Sequence, residues 1–316
     1  GHLERAMKIP EVDWGYSYNH PKAVHKHTNK FKSEPFNGYA VPVGDDPDQG
    51  EYLFHTNPGE AMEHSWTVPA GVESIFAFGA GGGISVLSTT FGMFTIPVSP
   101  GDDLSIVVGD VGDVSTGGLP DGGDPGYLVE SSDGSPNGGG GSTSLWNGAS
   151  CLFVAPGAGG LVSGPGSGNS IASWQHWNPS PAAWIGSSMA NPSPDVPNPE
   201  PGEAVIDFSL GDQGAGMNGG DGEDWVLSGE PAKQGGGGGG GWGGGPGGAV
   251  YKVKDLSNEY VFFRCRGGLS GRPYVVGGSS YAGEPFTERV DGSPFYPPFS
   301  SYSFGCGYLY IRWFNP

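Results

Sequence analysis

Basic residues are absent from most of this chain. Between Lys32 and Lys233 there is no Lys or Arg, whereas twenty-five of the 33 acidic residues lie there, and the formal net charge of the 316 residues is −19. Nucleic-acid binding depends on Lys and Arg contacts to phosphate, and anionic membrane surfaces attract clusters of basic residues. The charge therefore excludes nucleic acid as a partner, and we expect no membrane insertion.

Cysteine, long apolar runs and helical periodicity are also scarce. Three cysteines, Cys151, Cys265 and Cys306, do not make a disulfide framework. We expect buried free thiols, and a Cys265–Cys306 bridge is the alternative. No apolar run reaches 18 residues, so no segment reads as a membrane span. No segment keeps a helical period beyond about two turns, which excludes a helical bundle.

Catalytic motifs are missing as well. The sequence contains no Gly-x-Ser-x-Gly, His-Glu-x-x-His, phosphate-binding loop or Cys-x-x-Cys. A pair of carboxylates can hydrolyse a polysaccharide, but among 33 acidic residues any single pairing carries no information. We therefore expect a binding protein and not an enzyme.

Glycine is the residue that the chain has in excess. It supplies 62 of the 316 residues, most densely in the stretch QGGGGGGGWGGGPGG at 234–248. Glycine loses more conformational freedom on folding than other residues, so this stretch is either a flexible linker or a backbone that needs the absence of side chains. An aromatic content of 12% argues against disorder. We predict left-handed helices with three residues per turn, packed backbone against backbone.

Short apolar stretches between the glycine segments predict β-strands. They lie at 66–72, 74–78, 91–98, 104–108, 142–146, 150–155, 250–253, 259–264 and 307–314. We expect Gly307–Trp313 to pair beside an early strand between Trp66 and Phe78, because this closes the frame and removes an exposed edge. The predicted fold is all-β, a small β-sandwich-like frame with bundled left-handed polyglycine helices and almost no α-helix.

The composition divides the chain at about His64. Residues 1–63 are polar and are predicted to be an N-terminal arm or attachment region, in which residues 1–6 are expected to be a cloning remnant ahead of Met7. Three histidines of this arm are candidate metal ligands: His20, His25 and His27. A solvated arm without metal is the simpler interpretation. Residues 64–316 are predicted to form one glycine-rich β/polyglycine domain with a long insertion loop at 161–205, since loops of this length are usually functional or disordered.

Six motifs follow one another in a recognisable order. They are Trp66–Val72 (WTVPAGV), Gly79–Gly83 (GAGGG), Pro100-Gly101 before Leu104–Gly109, Gly138–Ser144, Leu152–Gly160 and Gly307–Trp313. Their order resembles the glycine-rich receptor-binding domains of bacteriophage tail-fibre tip adhesins, including those of some T-even-like phages. The resemblance covers residues 65–314. It departs after Gly83, where residues 84–88 replace further glycine, and the insertion at 161–205 has no counterpart.

The resemblance implies a tail-fibre tip adhesin that recognises a host-cell surface receptor, either an outer-membrane protein or a glycan. It implies a place on the virion, outside the cell, with attachment to the fibre shaft through the N-terminal arm. Aromatic side chains dominate interface hot spots, so receptor contacts are expected at Trp174, His176, Trp177, Trp184, Tyr281, Phe286, Phe295, Tyr296 and Phe299. Each of these could instead pack in the core.

Two alternatives stay open at this point. A secreted or cell-surface structural or binding module of cellular origin (matrix, lectin-like or ice-binding) has a similar composition.

The stretch GGDGEDWVL at 219–227 fits one copy of the nonapeptide of calcium-binding β-rolls. Those sites need stacked copies, so no cofactor is expected, and calcium at Asp221 or Asp224 is the alternative to a simple turn. Asp45, Asp46, Asp48 and Glu51 form a second acidic stretch with the same alternative.

Overall fold

The computed structural model describes residues 38–43, 46–56, 62–83, 92–126, 136–162, 181–194, 199–225, 233–283 and 305–314. Within these residues the fold is all-β, which confirms the predicted class. In the described residues sixteen strands form four antiparallel sheets, and the one helical element there is a 3₁₀ turn, Pro181–Trp184. In the described residues no helix is long and apolar enough to cross a membrane.

Two large sheets and two small ones account for all the strands. The first sheet has the order β1-β2-β16-β4-β5-β15, with β1 (Gly38–Val43), β2 (Asp46–His55), β4 (Ser74–Ala80), β5 (Met93–Pro97), β15 (Ser280–Gly283) and β16 (Tyr308–Phe314). The second has the order β14-β8-β7-β6-β3, with β3 (Met62–Thr67), β6 (Asp103–Val108), β7 (Thr143–Asn147), β8 (Ser150–Ala155) and β14 (Tyr274–Val275). The third has the order β13-β12-β9, with β9 (Glu203–Ser209), β12 (Val250–Asp255) and β13 (Val261–Cys265). The fourth pairs β10 (Asp224–Trp225) with β11 (Lys233–Gln234).

The first and second sheets pack face to face around the main core. In β6 the alternation of the sequence turns Leu104, Ile106 and Val108 inward, where all three are buried. This is the pattern of a strand with one buried face. The core includes residues of both sheets and the 3₁₀ turn, among them Tyr52, Phe54, Trp66, Ile75, Phe94, Ile96, Phe153, Trp184, Leu309, Ile311 and Trp313. These two sheets form the predicted sandwich-like frame.

The terminal strand β16 is an inner strand of the first sheet. It pairs antiparallel with β4, where Ile311 lies opposite Ala77, and with β2, where Ile311 lies opposite Tyr52. Both of its faces are buried, because Leu309 and Ile311 face the main core while Tyr308 and Tyr310 belong to a second apolar cluster. The predicted pairing of this strand with an early strand is confirmed.

Two strands lie in the segment that the sequence assigns to the N-terminal arm. β2 is placed between β1 and β16 and contributes Tyr52 and Phe54 to the core. The carboxylate of Glu51 on β2 is buried, accepts the hydroxyl of Tyr310 and lies 3.6 Å from Nη2 of Arg312. Residues 46–55 therefore belong to the sandwich, and Glu51 is an ion-pair partner within a sheet. It is not part of an acidic loop.

The glycine segments pack against one another through their backbones. In the run Gly235–Gly241, seven successive N–H groups donate at 2.7–3.0 Å to three different segments, and each segment is reached by every third glycine. The donor–acceptor pairs are Gly235–Glu223, Gly238–Gly220 and Gly241–Met217, then Gly236–Arg266 and Gly239–Leu269, then Gly237–Asn137 and Gly240–Gly140. The hydrogen-bond pattern of this run therefore has a period of three residues.

The carbonyl groups of the same run accept from three further segments with the same period. The donor–acceptor pairs are Gly126–Gly235 and Gly123–Gly238, then Gly248–Gly236 and Gly245–Gly239, then Gly160–Gly237 and Gly157–Gly240, at 2.7–2.9 Å. The run is thus bonded to six neighbouring segments. We call this set of seven the glycine bundle: 123–126, 137–140, 157–160, 217–223, 235–241, 245–248 and 266–269.

The close approach of these backbones explains why the bundle is built from glycine. A Cβ atom at Gly238 would lie 2.0 Å from the carbonyl oxygen of Gly245, and one at Gly237 would lie 2.0 Å from that of Gly123. Gly239 has a similar contact, at 2.1 Å, with the carbonyl oxygen of Gly157. Since the obstructing atoms belong to the backbone, no side chain can be accommodated without moving a neighbouring segment.

Candidate functional site

Most of the aromatic residues predicted to contact a receptor lie outside the described residues. These are Trp174, His176, Trp177, Phe286, Phe295, Tyr296 and Phe299. Of the nine predicted positions, Trp184 and Tyr281 are described. Trp184 lies in the core, whereas Tyr281 lies at the surface.

Trp184 is a core residue, and the prediction of an exposed anchor at this position is wrong. It is 1% exposed and stacks on Phe94 of β5, with ring centroids 5.5 Å apart. The 3₁₀ turn at Pro181–Trp184 and a bridge from Ile185 to Val275 of β14 hold it in place. The ring fills the sandwich interior, so a receptor has no access to it.

The residues after Trp184 tie the predicted insertion loop to the glycine bundle. The side-chain amide of Asn191 donates to the carbonyl oxygens of Gly216 and Gly244, both at 3.0 Å. Trp242, which follows the seven-glycine run, donates its indole N–H to the carbonyl of Ser187 at 3.0 Å. We call residues 184–191 the strap. The strap joins the sandwich to the bundle, so this part of the 161–205 insertion has a structural role.

Tyr281 lies on the edge strand β15 of the first sheet. The residue is 40% exposed, and its ring packs edge-on against that of Phe94 with centroids 5.6 Å apart. A Cβ atom at Gly92 would lie 2.3 Å from this ring, so the ring is held closely against the neighbouring backbone. The position of Tyr281 is compatible with the predicted contact to a receptor.

The two predicted calcium ligands line one pocket of about 310 Å³. Its lining residues are Val114, Ser115, Asp124, Pro125, Gly126, Asp221, Gly222 and Asp224. Oδ1 of Asp221 accepts the N–H of Asp124 at 2.8 Å, and Oδ1 of Asp124 accepts the N–H of Gly117 at 2.7 Å. Two of the three carboxylates therefore hold the pocket walls together.

The charge of this pocket acts on a neighbouring carboxyl group. Burial raises the pKa of Glu223, and the charges of Asp224 and Asp212 raise it further. The described residues contain no group of three or more His, Cys, Asp or Glu side chains placed to hold a metal ion. Calcium at Asp221 and Asp224 therefore stays a prediction from the motif alone.

The three cysteines are buried free thiols, as predicted. Burial raises the pKa of Cys151 to about 12, and it also raises the pKa of Cys306, where the carboxylate of Asp110 adds to the effect. A nucleophilic cysteine needs the opposite shift, because the thiolate is the reactive form. These thiols act as small core side chains.

The third sheet carries an exposed apolar surface that the sequence analysis missed. Ten large hydrophobic side chains are exposed in the described residues, and five belong to this sheet and its turn: Ile206, Phe208, Leu256, Tyr260 and Val261. Strand β9 begins at Glu203, inside the predicted insertion loop, and has three consecutive exposed residues at 206–208. The sequence predicted a strand at 259–264, but it did not predict the exposed face of this sheet.

Comparison with protein-family models and with curated proteins gives no match to this chain.

Proposed function

We propose that this protein is a receptor-binding adhesin at the tip of a viral tail fibre, in which the glycine bundle is a rigid scaffold for recognition loops. The observation that carries the proposal is the bonding of Gly235–Gly241 to six surrounding segments. Such a scaffold holds the ends of its loops at fixed positions. Binding residues concentrate on loops held by rigid scaffolds.

We also propose that the glycine segments are left-handed helices of the polyproline II type. The three-residue period of the hydrogen bonds around the central run supports this, since that helix has three residues per turn. Nine described glycines have a positive φ, and none lies in Gly235–Gly241. Negative φ values are those of the left-handed form.

The receptor is proposed to be a host-cell surface molecule, reached from the virion on the outside of the cell. A net charge of −19 supports a partner other than nucleic acid. The part of the predicted N-terminal arm that precedes the first sheet, residues 1–37, is proposed to join the fibre shaft. Trp174, His176 and Trp177 remain the proposed anchors of the insertion loop, which the strap fixes from Trp184 onward.

Binding of the labelled, purified chain to a panel of Gram-negative bacterial strains tests this function. Replacing Trp174 and Trp177 by alanine should weaken binding to a positive strain at least about tenfold, as expected for hot-spot residues, with almost no change in Tm. The matched control is Trp184→Ala, which should lower stability by about 3–5 kcal/mol because it empties a core site. Absence of binding to every strain would favour the cellular structural module.

A further inference from the structure

The described Lys and Arg residues lie in strands or beside the glycine bundle, and not in exposed turns. Eight of the 14 basic residues come after Lys32, and seven of these are described: Lys233, Lys252, Lys254, Arg264, Arg266, Arg272 and Arg312. Five belong to strands β11, β12, β13 and β16, and two follow β13 where the chain packs on the bundle. The eighth, Arg289, lies outside the described residues.

Most of the chain offers no site to a protease that cleaves after Lys or Arg. Neither residue occurs between Lys32 and Lys233, so every loop in that range lacks one, whatever its conformation. The described turn between β12 and β13, residues 256–260, lacks one as well. The access of a protease to a few backbone segments therefore decides whether the domain is cut.

Neighbouring strands hold the backbone of the basic residues that lie in sheets. Lys252 and Lys254 lie on β12, the central strand of the third sheet, and Arg312 lies on β16, an inner strand of the first. Lys233 pairs with Trp225 in the fourth sheet. A protease of the trypsin class binds the substrate in a cleft and the Lys or Arg side chain in a pocket. A paired strand reaches that cleft only after the sheet has opened.

The two arginines after β13 are also withheld. The N–H of Arg266 donates to the carbonyl of Ala249 at 2.9 Å, and its own carbonyl accepts the N–H of Gly236 at 3.0 Å. The bond after Arg266 therefore lies within the glycine bundle. Arg272 is followed by Pro273, a bond that trypsin-class proteases cleave poorly.

Two of the arginine side chains are buried in ion pairs. Arg264 is 7% exposed and bonds Glu200 at 2.9 Å and Glu203 at 2.5 Å. Arg312 is also 7% exposed, with Nη2 at 3.6 Å from the carboxylate of Glu51. Neither guanidinium can enter the pocket of a protease while these contacts exist.

The exposed turns carry acidic residues instead of basic ones. Glu73 is exposed in the turn before β4, and Glu259, whose side chain is 82% exposed, lies in the turn between β12 and β13. Asp113 and Asp212 are exposed in the connections after β6 and β9. Exposed loops are preferred sites of proteolytic cleavage. The positions most open to a protease are therefore ones that a Lys- or Arg-specific enzyme does not recognise.

We propose that the fold makes this domain resistant to trypsin-class proteases by withholding the residues that they recognise. In the native chain such proteases then cut only the N-terminal arm, which contains the other six basic residues, and the segment around Arg289. Cleavage in the arm leaves the domain intact. The inference does not depend on the adhesin function, because it concerns the domain alone.

Limited digestion of the full chain with trypsin, followed by mass spectrometry of the first products, tests this inference. We expect cuts in the arm, up to Lys32, and after Arg289, and none after the seven described residues. Digestion of the urea-unfolded chain is the control for enzyme activity and should cut within the domain. A first cut after any of the seven residues, in a chain that keeps its circular dichroism spectrum, would overturn the inference.

A protease that cleaves after Glu is the matched control on the same chain, and we expect it to cut the domain at Glu73 or Glu259. Glu73→Lys and Glu259→Lys should then be cut by trypsin at least about tenfold faster than Glu73→Gln and Glu259→Gln, because turns open at a lower free energy than strands. Tm of each variant shows that the fold is kept. If the Glu-specific protease leaves the domain intact and trypsin cuts neither Lys variant, the compactness of the fold explains the resistance and the inference is wrong.

Discussion

The carboxylate of Asp121 is buried against the central run of the glycine bundle. Its Oδ1 accepts the N–H of Ser142 and its Oδ2 accepts the Ser142 hydroxyl, both at 2.6 Å. A Cβ atom at Gly240 would lie 1.9 Å from Oδ1, so the carboxylate contacts the central run directly. Burial raises the pKa of Asp121 from the usual 3.8 to about 6, although the bonds from Ser142 act in the opposite direction.

We expect Asp121 to make stability depend on pH. The folded chain binds this proton more tightly than the unfolded chain, so the contribution is complete below about pH 4 and is lost as the pH rises through about 6. The difference between these pKa values corresponds to ~3 kcal/mol. Asp121→Asn keeps partners for both Ser142 groups, so its advantage in unfolding free energy should grow from pH 4 to pH 8.

Chemical denaturation of both proteins at each pH measures this advantage. The other carboxyl groups are common to the two proteins, so their titration cancels in the difference. Parallel stability curves over the whole range would show that Asp121 does not titrate there.

The glycines of the central run should not tolerate even a methyl group. Gly238→Ala places a Cβ atom 2.0 Å from a backbone oxygen, so we expect a loss of ~3 kcal/mol or more, at the upper end of overpacking effects. Gly277→Ala is the control, because its Cβ atom would have no neighbour within 4 Å. Thermal unfolding compares the two. An unchanged Tm for alanine at Gly237, Gly238 and Gly239 in turn would contradict the packing of the bundle.

At the scale of elements, strand β16 closes the first sheet. Deleting the last eight residues removes Leu309, Ile311 and Trp313 from the core and leaves the edges of β2 and β4 unpaired. Unpaired edges promote aggregation, so we expect insoluble protein. Deletion of Asn315 and Pro316 alone is the control, since both lie beyond the strand. A soluble and folded eight-residue truncation, judged by circular dichroism and gel filtration, would refute this role.

The strands that could be predicted are those whose own residues alternate, as in β6, or form a continuous apolar run, as in β8 and β16. Strand β6 can be predicted because a strand with one buried face has a two-residue period. Its apolar residues follow that period at Leu104, Ile106 and Val108. Strand β2 could not be recognised in the same way, because DPDQGEYLFH is polar over its first half and gains its place by pairing with β16, which comes late in the chain. Long-range pairing of this kind leaves little local signal.

The candidate site shows the same limit at the level of single aromatics. Three tryptophans in eleven residues suggested an exposed anchor, yet Trp184 packs on Phe94 in the core. Nothing in the local sequence distinguishes a tryptophan that fills a cavity from one that awaits a partner. The exposed turn between β12 and β13 was missed for the converse reason, since Tyr260 lies inside the predicted strand 259–264 and nothing in the sequence marks it as exposed.

At the scale of the whole molecule, the sequence predicted that glycine segments pack backbone against backbone. It did not predict which segments surround Gly235–Gly241. The three-residue period required by Gly235–Gly241 follows from backbone geometry. Which six segments surround the run depends on the path of the entire chain, from Gly123 to Leu269. Glycine has no side chain that can select one neighbouring segment over another. The order of the segments around the run therefore depends on the sandwich and the strap, which hold the segment ends.

The hydrogen bonds of Gly235–Gly241 to six other segments also affect how the protein folds. Gly237 bonds to Asn137 and Gly239 bonds to Leu269, so the run is incomplete until segments from both sides of it in the chain have been placed. Folding is slow when the entropy cost of closing long loops comes before the favourable contacts form. The same requirement applies in reverse, because no outer segment can leave without breaking several backbone bonds together. Slow folding and slow unfolding together give the protein kinetic resistance to unfolding.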